Sequence, residues 1–194
     1  MDVSVTGAAP EVGAPINPFN LVWSAAAFAA MIAAVLVGNL WLLDFVHVMS
    51  GVMWTGIDLF MGFVVGPILR AAPFEARRAV ITRLAPKTLF IMPTLSILTG
   101  TSGWFLARQM GFLDVGYPQF AWVAAALAIV AILTVQGLGY LLPTNLRVYF
   151  ELRKAEPDVA KIGAMMSRYF YVVAFQGAMQ AAIIVVMARF ATGL

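Results

Sequence analysis

The chain has 194 residues, of which 62% are hydrophobic and 11% are charged. Soluble domains carry about 25% charged residues, so the composition excludes an ordinary soluble protein and indicates an integral membrane protein. The net charge of +3 does not indicate nucleic-acid binding, because the basic residues lie between hydrophobic stretches. The absence of cysteine excludes disulfides and thiolate metal sites.

The hydropathy pattern predicts an all-α integral membrane protein with a tail and one domain. The tail covers 1–18 and is rich in Pro, Gly and Ala, so we expect it to lie outside the membrane. It lacks the basic residues of a secretory signal, so we expect it not to be cleaved. The domain covers 19–194 and holds five transmembrane helices. The predicted spans are about 21–37, 43–67, 88–107, 120–142 and 169–188.

The first predicted span carries two ridges of small residues, which let helices approach closely in lipid. We interpret these ridges as surfaces that pack against other helices of the same chain, in preference to surfaces that dock against a partner. The ridges are Ala25, Ala29 and Ala33, and Ala26, Ala30 and Ala34.

Prolines mark the predicted ends of two spans. The second span is expected to end at Gly66-Pro67 and the fourth at Pro143. The segments that follow are basic and are predicted to be a loop over 70–87, and a surface helix with a break near Pro157 over 144–168. They contain ten of the twelve Lys and Arg residues, which predicts a cytoplasmic location for both segments and for the N-terminus. The C-terminus is then periplasmic. We expect these charges to serve topology and contacts with anionic lipid.

The second span is the most informative part of the chain, because it contains the only histidine. Stepping 100° per residue from His47 places a polar, aromatic and glycine-rich stripe on one side of the helix. The stripe contains Asp44, Gly51, Trp54, Thr55, Asp58 and Gly62. Met49, Met53 and Phe60 fall on the opposite side. Ionisable groups rarely face lipid, so the stripe is predicted to face a helix bundle.

A buried polar cluster is predicted near the middle of the bundle. Counting depth at about 1.5 Å per residue places Asp58 level with Gln136 and Gln176, and with Ser96 or Gln180 as further members. A proton relay or cofactor contact, and a hydrogen-bonded clamp between helices, are equally compatible with this cluster.

Three interpretations of His47 remain open at this level. A single neutral imidazole can be an axial haem ligand. It can also join methionines in a copper site, although Met49 and Met53 lie on the other side of the helix. The third interpretation is a structural histidine bonded to Asp44, which is also placed to orient a ligand histidine.

The pattern His47-x3-Gly51-x2-Trp54-x-Gly56 resembles the H-x3-G-x2-W-x-G signature of a loose superfamily of membrane proteins. That superfamily includes CopD-type copper-resistance proteins, the HemJ-type protoporphyrinogen oxidase and the membrane domain of bacterial urate hydroxylase. The stretch RLAPKTLFIMPTLSILTGTSGWFL is similar to the second HemJ-type helix, and SRYFYVVAFQGAMQAAIIVV is weakly similar to the final one.

The resemblance implies a four-helix core bundle in a bacterial inner membrane, to which the first span adds a peripheral helix. It also implies haem b with His47 as its metal ligand, and Lys87 as the counterpart of a basic residue of the family. In this redox hypothesis Asp44 orients the histidine, Trp54 forms a wall of the pocket and Asp58 is proton-linked. The expected cofactor-binding residues are His47, Asp44, Trp54, Asp58, Gln136 and Lys87.

An alternative hypothesis is a cofactor-free accessory subunit of a larger membrane complex. HemJ-type proteins have a histidine in their third core helix, where this chain has Gln136-Gly137. The subunit would dock on a protein partner, or on a second copy of itself, through the first span and the tail. Copper or ion transport is a third interpretation, drawn from the superfamily alone.

Overall fold

A computed structural model describes residues 16–193, which form helices and contain no strand. Five of these helices are long and apolar enough to span a membrane, which confirms the predicted fold class. We label them in chain order as α1 Asn20–Val37, α2 Leu40–Ala71, α3 Phe74–Gln109, α4 Phe120–Leu152 and α5 Val159–Ala191. The predicted tail lies almost wholly outside the described residues.

The prediction that prolines end the second and fourth spans is wrong. In α2 a π-helical turn over Met61–Val65 precedes Pro67, and in α4 a π-helical turn over Gly137–Leu141 precedes Pro143. A π turn already departs from the regular i to i−4 hydrogen-bond ladder, so a proline that lacks an N–H is accommodated directly after it. Both helices therefore continue to their basic ends.

The first basic segment is also helical, and the prediction of a loop there is wrong. Helix α3 begins directly after Pro73 and runs through Pro86 and Pro93. Its first turns are rich in good helix formers, and a proline at a helix start costs no hydrogen bond. Arg78 fastens this extension to the end of α4 by donating from Nε to Leu152 O (2.9 Å). The predicted break near Pro157 is present between α4 and α5.

The helices pack as two antiparallel pairs with α1 on the outside. Helix α2 packs mainly on α3, α4 packs mainly on α5, and α1 lies against α3 and α2. Thr94 Oγ1 donates to Ser24 Oγ (3.1 Å) and so joins α3 to α1 within the apolar interior. Of the six alanines in the two ridges of α1, only Ala34 is buried. Packing within the chain therefore explains little of these ridges.

The predicted two-sided character of α2 is confirmed. Met49, Met53 and Phe60 are exposed on its outer side, whereas Trp54 is buried on the inner side. Gly51 also faces the bundle, since a Cβ built there would lie 3.4 Å from Thr99 Cγ2 of α3. The polar stripe therefore looks between the helices, and Asp44, near the start of α2, is the exposed exception.

Candidate functional site

Two polar layers lie along α2, separated by an apolar layer. His47 belongs to the layer near the start of α2, and Asp58 belongs to the layer nearer the basic ends of the helices. Trp54 lies between them and packs on Leu95 of α3 and Leu133 of α4. We call these three residues the Trp54 plug.

The imidazole of His47 is held by the backbone of α3. Its Nδ1 lies 3.0 Å from Thr99 O, and because a carbonyl oxygen only accepts, Nδ1 carries the proton and donates. Nε2 therefore keeps its lone pair when the ring is neutral. The ring lies close against Gly103, where a Cβ would come within 2.6 Å of Cε1. Gly103 is thus the position that gives the ring its space.

A hydroxyl network surrounds this layer. Thr99 Oγ1 donates to Ser50 Oγ (3.0 Å), and Ser50 Oγ donates to Val46 O (2.7 Å) on α2. Ser102 Oγ donates to Leu98 O on its own helix. These bonds satisfy each hydroxyl within the bundle, as is common for Ser and Thr in membrane helices.

Two residues predicted to act with His47 do not contact it. The orienting hydrogen bond expected from Asp44 is made instead by Thr99 O, and Asp44 is exposed. Lys87 lies in the basic part of α3, about 18 Å along the helix from Thr99 at 1.5 Å per residue, and is also exposed. The histidine layer therefore has one ionisable side chain facing the bundle, among residues 16–193.

Asp58 forms the centre of the second layer, as predicted, with two glutamines of α5. Gln176 Nε2 donates to Asp58 Oδ2, and Gln180 Nε2 donates to the same oxygen (2.7 Å). Gln176 and Gln180 are 4% and 0% exposed, so both bonds are shielded from water and lipid. No residue within 16–193 donates to Oδ1 of Asp58, which leaves that oxygen available to another proton donor.

The predicted contact between Gln136 and Asp58 is not made. Gln136 Nε2 donates instead to Val172 O, which joins α4 to α5 one turn away from Gln176. The amide oxygens Oε1 of Gln136, Gln176 and Gln180 are buried without a donor among residues 16–193. Buried acceptors cost free energy when unpaired, so this interface favours a hydrogen-bond donor such as water.

A cavity of about 70 Å³ connects Asp58 with polar groups nearer the basic ends of the helices. Thr88 of α3, Asn145 of α4 and Tyr169 of α5 line it together with Gln176. Asn145 Nδ2 donates to Tyr169 Oη (3.1 Å), so the phenolic O–H remains free to donate. Trp54 also lines it. The cavity therefore brings Asp58 of α2 together with polar groups of α3, α4 and α5 within an otherwise largely apolar lining.

A larger groove of about 360 Å³ lies between α3 and α4 and shares Ser96 and Leu138 with the first cavity. Neither space is lined by His47. Ligand sites commonly occupy about 300–1,000 Å³, so the 70 Å³ cavity is too small for a porphyrin. The groove does not have His47 among its lining residues. The imidazole suits haem, with Nδ1 anchored and Nε2 free, but these two spaces do not enclose a macrocycle beside it.

Other metal chemistry has little support in this part of the chain. Residues 16–193 contain no group of three or more His, Cys, Asp or Glu side chains that converge. Met49 and Met53 are exposed on the side of α2 away from the bundle, so they do not join His47 in a copper site.

Three comparisons with known proteins bear on identity. No family model, curated protein or solved structure matches this chain. The resemblance to the CopD and HemJ-type superfamily therefore stays a prediction carried by its motif.

Sequence reasoning missed several residues that complete the two layers. Thr99 and Gly103 hold His47, and Asn145 and Tyr169 extend the cavity beyond Asp58. A partial signal was present for Gly103, because a glycine on a bundle-facing side of a helix leaves space for a large side chain of a neighbouring helix. A backbone carbonyl as the partner of the imidazole leaves no trace in the sequence.

Proposed function

We propose that this membrane protein takes up and releases a proton at Asp58 from the basic side of the membrane. The observation that carries the proposal is the position of the carboxyl group, held by two buried glutamines and facing a cavity that Thr88, Asn145 and Tyr169 also line. Ionisable groups within membrane-spanning helices are costly and commonly serve proton or ion pathways.

The contacts of Asp58 support both states of the carboxyl group. Two amide donors on Oδ2 stabilise the carboxylate, and Oδ1 is the atom that receives the proton. Tyr169 O–H lines the same cavity and is a donor on its basic side. The Trp54 plug blocks the continuation toward His47, so we infer access from one side only.

Infrared difference spectroscopy in nanodiscs tests proton binding. We expect a protonated carboxyl band that appears and disappears with pH in the wild type and is missing in Asp58→Asn. The matched control is Asp44→Asn, because Asp44 is an exposed carboxyl on the same helix. A spectrum in which Asp58→Asn loses no band would identify the cluster as a hydrogen-bonded clamp and refute the proposal.

Single-cysteine labelling tests the one-sided access. The chain has no native cysteine, so each introduced thiol is unique. We expect Thr88→Cys and Asn145→Cys to react with a membrane-impermeant thiol reagent added on the basic side only. Ser50→Cys, beyond the Trp54 plug, should not react from that side. Reaction of Ser50→Cys from the basic side would contradict the closed plug.

Haem binding at His47 is the second candidate function, in a redox protein of HemJ or CopD type. The observation that favours it is the anchored Nδ1, which leaves Nε2 as a ligand atom. Bound haem would supply electron-transfer chemistry, and Thr99 O with Gly103 would orient the imidazole. The test is the visible spectrum of the purified protein, as isolated and after incubation with haem, beside His47→Ala. A wild type without a Soret band in both samples would refute this candidate.

The orientation and partners belong to the same proposal. Ten of the twelve basic residues lie at one end of the bundle, which favours the cytoplasm for that end of a bacterial inner-membrane protein. The exposed alanines of α1 favour a neighbouring membrane helix from a protein partner or a second copy. Thiol labelling of Arg77→Cys in intact cells and in inverted vesicles tests the orientation.

A further inference from the structure

The groove between α3 and α4 has the dimensions of a ligand site. Its volume of about 360 Å³ falls within the range of small-molecule sites. It is lined by two neighbouring helices only, so its third side is the membrane. Five lining residues of α3 lie within 96–104, which is about 12 Å of helix at 1.5 Å per residue. A molecule that enters it must therefore come from the bilayer.

Hydroxyl groups on both walls distinguish this groove from an ordinary lipid-facing surface. Ser96 Oγ donates to Pro93 O (3.0 Å) and Thr134 Oγ1 donates to Val130 O (2.8 Å). Each hydroxyl donates its single proton to a carbonyl of its own helix, and its oxygen can still accept a hydrogen bond. Thr101 lines the groove as well, and its side-chain hydroxyl has no hydrogen bond within residues 16–193. A lipid acyl chain has no donor for these oxygens, whereas a hydroxyl-bearing molecule does.

Two further residues shape the groove for an apolar body. Gly100 lines the groove, and a Cβ built there would lie 3.7 Å from Val130 Cγ1, so a longer side chain would fill the space. Trp104 is 47% exposed and presents its indole along one wall. An aromatic surface of this kind contributes large apolar contact area to a ring or a branched chain.

We propose that this groove binds a membrane-dissolved phenol or alcohol, with its hydroxyl toward Ser96 and Thr101 and its apolar body along Gly100 and Trp104. The inference goes beyond the proposed proton site and does not depend on it. Ser96 also lines the cavity of Asp58, so the groove and that cavity share this residue.

The test uses a photoreactive alkyl phenol and its methyl ether in nanodiscs that contain the full chain. We expect the phenol to label peptides that cover 96–104 and 130–138, and excess unlabelled phenol to compete. Gly100→Leu should abolish the labelling, whereas Gly56→Leu should not, because Gly56 is exposed and has no neighbour within 4 Å of a built Cβ.

A second pair of variants tests the hydroxyl itself without filling the groove. Thr101→Val is nearly isosteric, and loss of one hydrogen bond should weaken phenol labelling about fivefold. Thr82→Val is the comparison, since Thr82 does not line the groove and its hydroxyl donates to Arg78 O within its own helix. Equal labelling by the methyl ether would mean that the groove accepts acyl chains, and would overturn the proposal. Unchanged labelling in Gly100→Leu would overturn it as well.

Discussion

Gly103→Ala is the sharpest probe of the histidine layer. The added Cβ would lie 2.6 Å from His47 Cε1 and 2.9 Å from Nδ1, whereas carbon atoms in contact prefer about 3.5–4.0 Å. The ring must therefore move by about 1 Å, which takes Nδ1 out of hydrogen-bond range of Thr99 O. Overpacking costs about 1–3 kcal/mol and the lost bond about 0.5–1.5 kcal/mol. We expect a destabilisation of about 2–4 kcal/mol relative to the control Gly100→Ala.

The assay is equilibrium unfolding in mixed detergent micelles. Gly100→Ala is the matched control because its Cβ meets only an ordinary contact with Val130, so it reports the gain in helix propensity alone. In a His47→Ala background the clash is absent, and Gly103→Ala should then behave like Gly100→Ala. Equal stability of the two alanine variants in the wild-type background would refute the packing of the ring on Gly103. A cost that persists without His47 would refute the assigned cause.

Three further outcomes follow from the other contacts. Asp58→Ala leaves two buried amide donors unpaired, so it should lower the free energy of unfolding by about 2–5 kcal/mol in the same assay. Asp58→Asn should lower it by less. If Asp58→Ala cost no more than a substitution at an exposed position, the two hydrogen bonds would be contradicted. Gln136→Leu removes one hydrogen bond and one unpaired buried oxygen together. Its free energy of unfolding should therefore stay within about 1 kcal/mol of the wild type. A large loss would indicate that Oε1 of Gln136 accepts a hydrogen bond. Glu151→Gln removes the carboxylate that pairs with Lys154 (2.8 Å) and Lys161 (3.0 Å), so trypsin should cleave the segment between α4 and α5 faster, and an unchanged rate would show that these pairs do not hold it.

Local patterns in the sequence were sufficient to predict the fold class and most of the polar layer around Asp58. The apolar content predicted five membrane-spanning helices, because in lipid every backbone group must be satisfied within a helix. The 100° periodicity of α2 predicted which side faces the bundle. Depth counting placed Gln176 level with Asp58, with Gln180 as a further candidate, because straight helices of known rise bring equal depths together.

Sequence patterns gave wrong predictions at two prolines and at one glutamine. Pro67 and Pro143 were expected to end helices, and both lie inside helices that continue after a π-helical turn. Gln136 was expected at Asp58 and donates to Val172 O instead. A depth count does not include the rotation of a helix about its axis, and that rotation decides which amide reaches which partner.

The sequence by itself determined the membrane class, the number of spans, the polar side of α2 and the level of Asp58 in the bundle. These properties depend on composition and on helix periodicity, which are local. Only the tertiary structure decided that Thr99 O holds His47, that the Trp54 plug separates the two polar layers, and that Asp58, Asn145 and Tyr169 line one cavity. Each of these depends on how adjacent helices are rotated and spaced, because a backbone carbonyl or an empty volume becomes a contact only when another helix is placed against it.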